Sequence, residues 1–359
     1  MKAVVVREHG GPEVLRFEDR PDPQPRAGEV LVRIKAVGLN HLDLWVRKGV
    51  PGHTFPLPIV PGCDFCGLVE SVGAEVAAAP AVPGTPPLEP GDKVLVAPGF
   101  SCGRCRACSE GQDNLCAGYG MFGETTDGGC RELAAVPAAN VIAMPAGLDF
   151  VQGAAFPLAF MTAWHMLVAR CGLRAGDDVL VHAAGSGVGS AAVQIAKLFG
   201  ARVIATAGSA AKLEHAQALG ADHVIDYEKQ DFAAEVRTLT AKRGVDIVFE
   251  HVGEKTFPGS LRSLARGGRL VTCGATTGAR AELNLRALFF KNISVLGSTM
   301  GSRGELHQIV GLVARGVLKP VVDRSLPLSE VREAHEALEK RESFGKIVLV
   351  PNPDSERPA

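Results

Sequence analysis

The cysteines are the residues of this sequence whose spacing most directly indicates chemistry. Four of them are spaced C-x2-C-x2-C-x7-C: Cys102, Cys105, Cys108 and Cys116. Four thiolates at such intervals can surround Zn²⁺ tetrahedrally, with Zn–S bonds of roughly 2.3 Å. Because four sulfur ligands leave no open position for water or substrate, the pattern predicts one structural zinc ion per chain. The reaction chemistry is therefore expected elsewhere in the chain.

A second pattern indicates a dinucleotide-binding loop. An apolar run at 178–182 leads into Ala-Ala-Gly-Ser-Gly-Val-Gly at 183–189, and a helical pattern follows. Small residues there let backbone N–H groups approach a pyrophosphate at the start of a helix. The spacing departs from G-x-G-x-x-G, since Ala184 and Ser186 hold the first two glycine positions. The pattern predicts cofactor contacts from Ser186, Gly187, Val188 and Gly189.

The end of the next strand bears on which cofactor binds. A cofactor with a free ribose 2′-hydroxyl usually meets Asp or Glu at this position. Here Ala207, Gly208 and Ser209 stand instead, with Lys212 just beyond. A hydroxyl, a helix start and an ammonium can receive a 2′-phosphate. The sequence thus predicts NADP(H) over NAD(H), with a solvated helix lysine as the alternative role of Lys212.

Composition limits the class of protein. The 359 residues are 46% hydrophobic with a net charge of -1, and no basic stripe indicates nucleic acid or a membrane surface as partner. No apolar run approaches the ~20 residues of a membrane span. The first residues are too soon charged for a signal peptide. Nine cysteines, four of them in metal spacing, favour a reducing, cytoplasmic location.

The pattern of elements changes once along the chain. Residues 1–152 carry short β-like runs broken by Gly and Pro, including a Pro-rich loop at 77–90. In 153–300, strand-like runs alternate with helical stretches, which predicts a parallel sheet with helices on both faces. The segment 301–359 holds two helical stretches and ends in an apolar strand, Lys346 to Val350, expected to return to the first domain.

Four segments together resemble one family. They are Val37–Asp43, Pro61–Gly67, the four-cysteine segment and the 183–189 loop, and they occur in the order found in the medium-chain dehydrogenase/reductase superfamily. The resemblance implies an α/β chain with a GroES-like, β-barrel-like catalytic domain and a doubly wound Rossmann domain. It also implies an active site in the cleft between the domains, and homodimers or homotetramers paired through the last Rossmann strand, near 293–297.

The superfamily has a zinc alcohol dehydrogenase branch and a zinc-free quinone or enone reductase branch. The zinc branch places its catalytic ligands where this chain has Asn40, Cys63 and Ala159, and a proton-relaying hydroxyl where it has Leu42. Asn is a weak ligand for zinc, Ala has no donor atom, and Cys63 alone cannot hold the ion. The reductase branch is similar in Asn40-His-Leu-Asp43, in Phe160-Met-Thr-Ala163 and around Tyr227. Unlike many quinone reductases, however, this chain has the four-cysteine lobe, and its Trp45 stands where some members have Tyr.

The resemblance therefore implies an NADPH-dependent oxidoreductase that transfers hydride to a quinone or a carbonyl-activated alkene, with structural but no catalytic zinc. The alternatives are a zinc alcohol dehydrogenase with atypical ligands and a non-catalytic NADPH-binding protein. The candidate substrate-cleft residues, none of them a sole catalytic residue, are Asn40, His41 and Trp45. The candidate cofactor-binding residues are Asn40, Thr162, Ser186, Gly187, Val188, Gly189, Ser209, Lys212, Tyr227 and Gly274.

Several side chains have two possible roles. Asn40 is expected to bond the nicotinamide ribose or a substrate carbonyl, or to cap the helix that follows. His41 is expected to donate a proton, to touch substrate or to line the cleft, while Asp43 is expected to orient neighbouring backbone or an Arg and not to act as a base. Cys63 and Cys66 are either buried small residues or a redox or metal pair. The histidines at strand ends, His182 and His251, are expected to pack.

Overall fold

The computed structural model describes residues 1–78 and 87–351. Most of the predicted Pro-rich loop, residues 79–86, lies outside them. The described chain divides into two compact units. Unit 1 comprises Met1–Leu158, Leu306–Ala314 and the C-terminal part from Pro320, and unit 2 comprises Ala159–Glu305 and Arg315–Lys319.

The strands of the described residues are, in chain order, β1 (Lys2–Val6), β2 (Leu15–Asp19), β3 (Glu29–Gly38), β4 (Asp64–Val72), β5 (Lys93–Val96), β6 (Gly99–Phe100), β7 (Gly120–Met121), β8 (Leu133–Pro137), β9 (Val141–Ala143), β10 (Asp178–Val181), β11 (Arg202–Ala207), β12 (His223–Asp226), β13 (Val245–Glu250), β14 (Leu264–Thr272), β15 (Ser294–Gly297), β16 (Val322–Pro327) and β17 (Lys346–Val350). The α-helices are α1 (His41–Lys48), α2 (Ala74–Ala78), α3 (Arg106–Ser109), α4 (Phe150–Ala154), α5 (Pro157–Trp164), α6 (Gly187–Leu198), α7 (Ala210–Ala218), α8 (Phe232–Leu239), α9 (Phe257–Ser263), α10 (Leu285–Lys291), α11 (Arg303–Ala314) and α12 (Val331–Glu339).

Unit 2 is built on a six-stranded parallel sheet in the order β12-β11-β10-β13-β14-β15. Its core is formed by buried apolar residues of the strands, among them Leu180, Ile204, Val248 and Leu270. The order reverses beside β10, so the loop after β10 lies where doubly wound sheets bind ligands. The predicted Rossmann-type fold is confirmed.

One edge of this sheet is formed by β15, the strand that the resemblance implicates in assembly. The helix before it, α10, exposes large apolar side chains: Leu285, Phe289 and Phe290. Contiguous exposed apolar side chains are typical of an interaction surface. Pairing of two copies here stays a prediction.

Unit 1 contains a seven-stranded sheet in which β16-β17-β3-β4-β5-β9 are neighbours and β8 also pairs with β3. The C-terminal strand, β17, pairs with β3 of this unit, with Val348 opposite Gly38. It also pairs in parallel with β16. The strand β16 was not predicted, because three of the six residues in its run Val-Asp-Arg-Ser-Leu-Pro are polar. Among the described residues, no helix has the length and apolar character to span a membrane.

Candidate functional site

The four predicted zinc ligands come together in unit 1. Their sulfur atoms all lie within 4.8 Å of one another. The Sγ of Cys108 is 3.5 Å from that of Cys105 and 3.9 Å from that of Cys102. Four Zn–S bonds of 2.3 Å at tetrahedral angles separate the sulfurs by about 3.8 Å. The cluster therefore fits a structural zinc ion.

The backbone around these cysteines is arranged to stabilise thiolates. The N–H groups of Arg104 and Cys105 lower the pKa of Cys102 to about 6. The N–H of Gly118 donates to the Cys116 sulfur at 3.3 Å. A zinc ligand must be deprotonated, and such bonds favour the charged form. The local elements are short, so little besides a metal holds the tip of this lobe together.

A second cluster surrounds Asn40, at the start of α1. The Lys346 ammonium donates to the Asn40 side-chain oxygen at 2.5 Å and to the Asp64 carboxylate at 3.2 Å. The other Asp64 oxygen accepts the Leu158 N–H at 2.9 Å. Lys346 is 4% exposed and Asp64 fully buried. The two charges form a buried ion pair that the sequence analysis did not foresee.

The lysine fixes the orientation of the Asn40 amide. An ammonium has only donors, so it must face the amide oxygen, and the NH₂ group then points the other way. That NH₂ has three acceptors within reach: Gly38 O at 3.2 Å, Cys63 Sγ at 3.2 Å and Asp64 Oδ2 at 3.0 Å. Both amide hydrogens are therefore satisfied inside unit 1, and the amide oxygen is already bonded by Lys346.

The carboxyl group of Asp43 and the thiols of Cys63 and Cys66, which lie near Asn40, are all buried. Burial raises the pKa of Asp43 to about 6, although its oxygens accept the N–H groups of Asn40 at 2.7 Å and Gly62 at 2.8 Å. Asp43 thus orients backbone, as predicted. Burial also raises the pKa of the Cys63 and Cys66 thiols, and Cys66 donates to the Phe150 carbonyl at 3.0 Å. Both are neutral thiols in a packed interior.

The other two candidate cleft residues lie on α1. His41 is half-buried and its ring meets that of Trp45 edge-on, with centroids 5.8 Å apart. Trp45 also packs against the core of unit 1. Their roles toward substrate stay predictions.

The dinucleotide loop in unit 2 leads into a helix with a side-chain N-cap. Ser186 precedes α6, and its hydroxyl accepts the Gly189 N–H at 2.9 Å. A Cβ on Gly189 would lie 2.4 Å from the Ala183 carbonyl oxygen, so only glycine lets α6 approach the loop this closely. Together with Gly187 and Val188 in the first turn, this start directs N–H groups outward, where a pyrophosphate can bind.

The end of β11 carries the residues predicted to distinguish the two cofactors. Ser209 caps α7 by accepting the Lys212 N–H at 3.4 Å. The Tyr227 ring lies over Gly208, where an added Cβ would come within 2.7 Å of the Tyr227 hydroxyl. Asp226, on the neighbouring strand, forms an ion pair with Lys229 at 3.0 Å. The structure brings Ser209, Lys212 and Tyr227 to one end of the sheet.

Three further positions belong to the candidate cofactor site. The Thr162 hydroxyl is buried and has no hydrogen-bond partner, and the same is true of Ser298, just after β15. Buried polar atoms without partners are rare in folded proteins, so these two fit a bound group. Gly274 follows β14 and approaches His251, whose oxygen would lie 3.1 Å from an added Cβ. Ser298 was missed because a single serine carries no sequence signal.

The candidates do not form a single cluster within either unit. Asn40, His41 and Trp45 belong to unit 1, whereas the remaining cofactor candidates belong to unit 2. Among residues 1–78 and 87–351, the four-cysteine lobe is the only group of three or more His, Cys, Asp or Glu side chains that is arranged to hold a metal.

Comparisons with known proteins agree with this architecture. Residues 26–146 match the alcohol dehydrogenase GroES-like domain and residues 187–315 the zinc-binding dehydrogenase family. Quinone oxidoreductase of Rattus norvegicus is 31% identical, covering 98% of each chain. A solved structure of an NAD-dependent alcohol dehydrogenase is 49% identical with a TM-score of 0.91, covering 98% of this chain and 100% of that one. The cobalt- and zinc-bound alcohol dehydrogenase of Pyrobaculum aerophilum is 35% identical with a TM-score of 0.85, covering 98% and 99%.

These matches span both units and nearly the whole length of their relatives, and they include both dehydrogenases and quinone reductases. A GroES-like unit, a six-stranded Rossmann-type sheet and a four-cysteine lobe occur here in one chain. The chain therefore belongs to the medium-chain dehydrogenase/reductase superfamily, in its zinc-type alcohol dehydrogenase-like group.

Proposed function

We propose that this oxidoreductase uses NADPH to reduce a quinone or a carbonyl-activated alkene, and that its only zinc is structural. The observation that carries the proposal is the bond from Lys346 to Asn40. Asn40 and Cys63 correspond to two of the ligand positions of zinc alcohol dehydrogenases. In this chain Asn40 accepts from an ammonium group and its NH₂ donates to Cys63.

The donor set around Asn40 does not fit a catalytic zinc ion. The side-chain oxygen is the only atom of the Asn40 amide that could bind a metal, and it accepts from Lys346 at 2.5 Å. The Cys63 sulfur is fully buried and accepts from the Asn40 NH₂ group at 3.2 Å. A dication here would also meet the positive charge of Lys346. No step of the proposed reaction uses a metal at this position.

The proposed reaction needs positioning more than acid strength. Bound NADPH would supply the hydride. The activated alkene accepts it at the β-carbon, the carbonyl oxygen gains enolate character, and water protonates the α-carbon. With Asn40 fixed by Lys346 and Asp64, we propose that it holds the start of α1, so that His41 and Trp45 meet substrate in a constant arrangement.

The second candidate is a zinc-dependent alcohol dehydrogenase with atypical ligands. It is favoured by the names of the two solved relatives, an NAD-dependent alcohol dehydrogenase at 49% identity and a cobalt- and zinc-bound alcohol dehydrogenase at 35%. Metal content distinguishes the candidates, since the first predicts about one zinc per chain and the second two.

The test combines metal analysis with turnover. Purified protein should contain about one zinc per chain and oxidise NADPH in the presence of enones, quinones or 2-alkenals. Two tightly held zinc ions with oxidation of alcohols would support the second candidate. Tight NADPH binding without turnover of any of these compounds would favour a non-catalytic binding protein.

The NADPH preference is a separate proposal and rests on Ser209, Lys212 and Tyr227. We expect Ser209→Asp to weaken NADPH binding roughly tenfold more than NADH binding, because a carboxylate repels a 2′-phosphate and accepts ribose hydroxyls. Asp caps a helix as well as Ser does, so α7 should keep its stability. Dissociation constants from nicotinamide fluorescence provide the measurement.

Ser209→Asn is the matched control, since it keeps the cap and adds no charge. It should leave the ratio of the two dissociation constants near that of the original protein. Tighter binding of NADH than NADPH by the unaltered protein contradicts the preference.

A further inference from the structure

Unit 2 contains a buried network of polar side chains that have no part in the cofactor and substrate roles described above. Four of its side chains are at most 1% exposed: His182, Thr206, Glu250 and Ser260. His182 follows β10, Thr206 and Glu250 lie at the ends of β11 and β13, and Ser260 is on α9. Because the strands are parallel, the network lies at their carboxyl ends, where the dinucleotide loop also starts.

The chemistry of the groups fixes the direction of each hydrogen bond. The Glu250 carboxylate only accepts, so the Ser260 hydroxyl donates to it at 2.7 Å. With its one hydrogen used, Ser260 accepts from His182 Nε2 at 2.9 Å. His182 Nδ1 then carries no hydrogen and accepts from the Thr206 hydroxyl at 3.2 Å. The result is one chain of bonds, Thr206 to His182 to Ser260 to Glu250.

The charge states agree with this direction. Burial lowers the pKa of His182 to about 4, so its ring is neutral near pH 7. Burial opposes ionisation of Glu250, but the neighbouring His182, together with donors that include Ser260, the Val252 N–H and Thr256, lowers its pKa below the usual range. The Ser260 hydroxyl also lies 2.9 Å from the Thr256 carbonyl, but the carboxylate is the stronger acceptor.

Both ends of this chain of bonds hold backbone. At one end the Thr206 hydroxyl accepts the Ala183 N–H at 3.3 Å, and Ala183 has a left-handed φ of 44°. This conformation is unfavourable for a residue with a Cβ, and Ala183 begins the dinucleotide loop. At the other end Glu250 accepts the N–H groups of Val252 at 2.7 Å and Gly253 at 3.2 Å. The Nε2 of His251 also hydrogen-bonds the His182 carbonyl oxygen at 2.9 Å.

We propose that Glu250, Ser260, His182 and Thr206 form a positioning relay for dinucleotide binding. Glu250 orients Ser260, which fixes the His182 tautomer, and that tautomer lets Thr206 hold the strained start of the 183–189 loop. The same carboxylate holds the turn after β13. The four side chains are proposed to act through the backbone of the two turns, without touching the cofactor. The inference rests on the nicotinamide-cofactor part of the proposed function.

The first test compares two serines of α9. Ser260→Ala leaves the His182 N–H and the Glu250 carboxylate short of a partner, and it should weaken NADPH binding roughly tenfold. Ser263→Ala is the matched control. Ser263 is equally buried on the same helix, but its hydroxyl donates to the Gly259 carbonyl at 2.9 Å, within the helix itself. It should change the melting temperature slightly and the dissociation constant not at all.

The second test asks whether the two ends are coupled. Thr206→Val keeps the shape but removes the hydroxyl, and it should weaken NADPH binding to a similar degree. Because both changes break one chain of bonds, the double variant should bind little worse than the weaker single variant. Additive losses, or unchanged binding in both single variants with intact folding by circular dichroism, would overturn the relay.

Failure of the relay differs from failure of the cofactor assignment. If the unaltered protein binds neither NADPH nor NADH, the cofactor assignment fails. If it binds one of them and the Ser260 and Ser263 variants bind equally well, the cofactor assignment stands and the relay is wrong.

Discussion

Replacing Lys346 by methionine is expected to destabilise the protein by about 3–5 kcal/mol, because it leaves the buried Asp64 carboxylate without its cation. Asp64 is 0% exposed, and it would keep only the Leu158 N–H and the Asn40 amide as donors. The Asn40 oxygen would lose its partner as well. Urea or thermal unfolding measures the change, and a melting temperature lower by roughly 10 °C corresponds to it.

Two companion variants separate charge from packing. Lys346→Met combined with Asp64→Asn removes both charges and keeps an oxygen for the Leu158 N–H, so it should recover a large part of the lost stability. Lys340→Met removes a lysine whose partner Glu336 is 3.5 Å away and whose side chain is 61% exposed. It should cost no more than roughly 0.5 kcal/mol. Equal losses from Lys340→Met and Lys346→Met would contradict the importance of the buried pair.

Local patterns allowed much of the fold to be predicted. Apolar runs between turn residues predict strands at 202–207 and 294–297, and β11 and β15 begin and end at these residues. The strand β16 was missed because Asp323, Arg324 and Ser325 interrupt its apolar pattern. It is held by pairing with β17, which a local reading of the sequence does not contain.

The residues of the candidate site likewise differ in whether the sequence predicts them. The cysteine cluster was found because its ligands lie within 15 positions and their spacing matches a coordination geometry. The Lys346–Asp64 pair joins residues 282 positions apart, through the adjacency of β17, β3 and β4. The lysine at the start of an apolar strand is the one sequence signal that could have indicated it. The Glu250–Ser260 bond likewise depends on how α9 packs against β13.

Loss of the lobe metal is the second large effect expected. Cys105→Ser replaces a thiolate by a hydroxyl that does not ionise near neutral pH, so the site should lose most of its zinc affinity. Structural zinc contributes on the order of 10 kcal/mol or more to folding in small zinc domains. Here α3 has four residues, while β6 and β7 have two each. We expect zinc content to fall from about one per chain toward zero, and the segment 99–121 to become sensitive to protease.

The effect should stop at the base of the lobe. Phe122 packs against Phe65 and Phe100, and the Asn140 amide bonds the Ala97 and Gly99 carbonyls, so unit 1 keeps anchors that need no metal. Hydride transfer should therefore decline only in parallel with the melting temperature. Cys171→Ser, a buried cysteine of unit 2 outside the cluster, serves as the control and should retain its zinc. A Cys105→Ser protein that loses zinc and all activity while remaining as stable as the original would assign the lobe metal a part in the reaction.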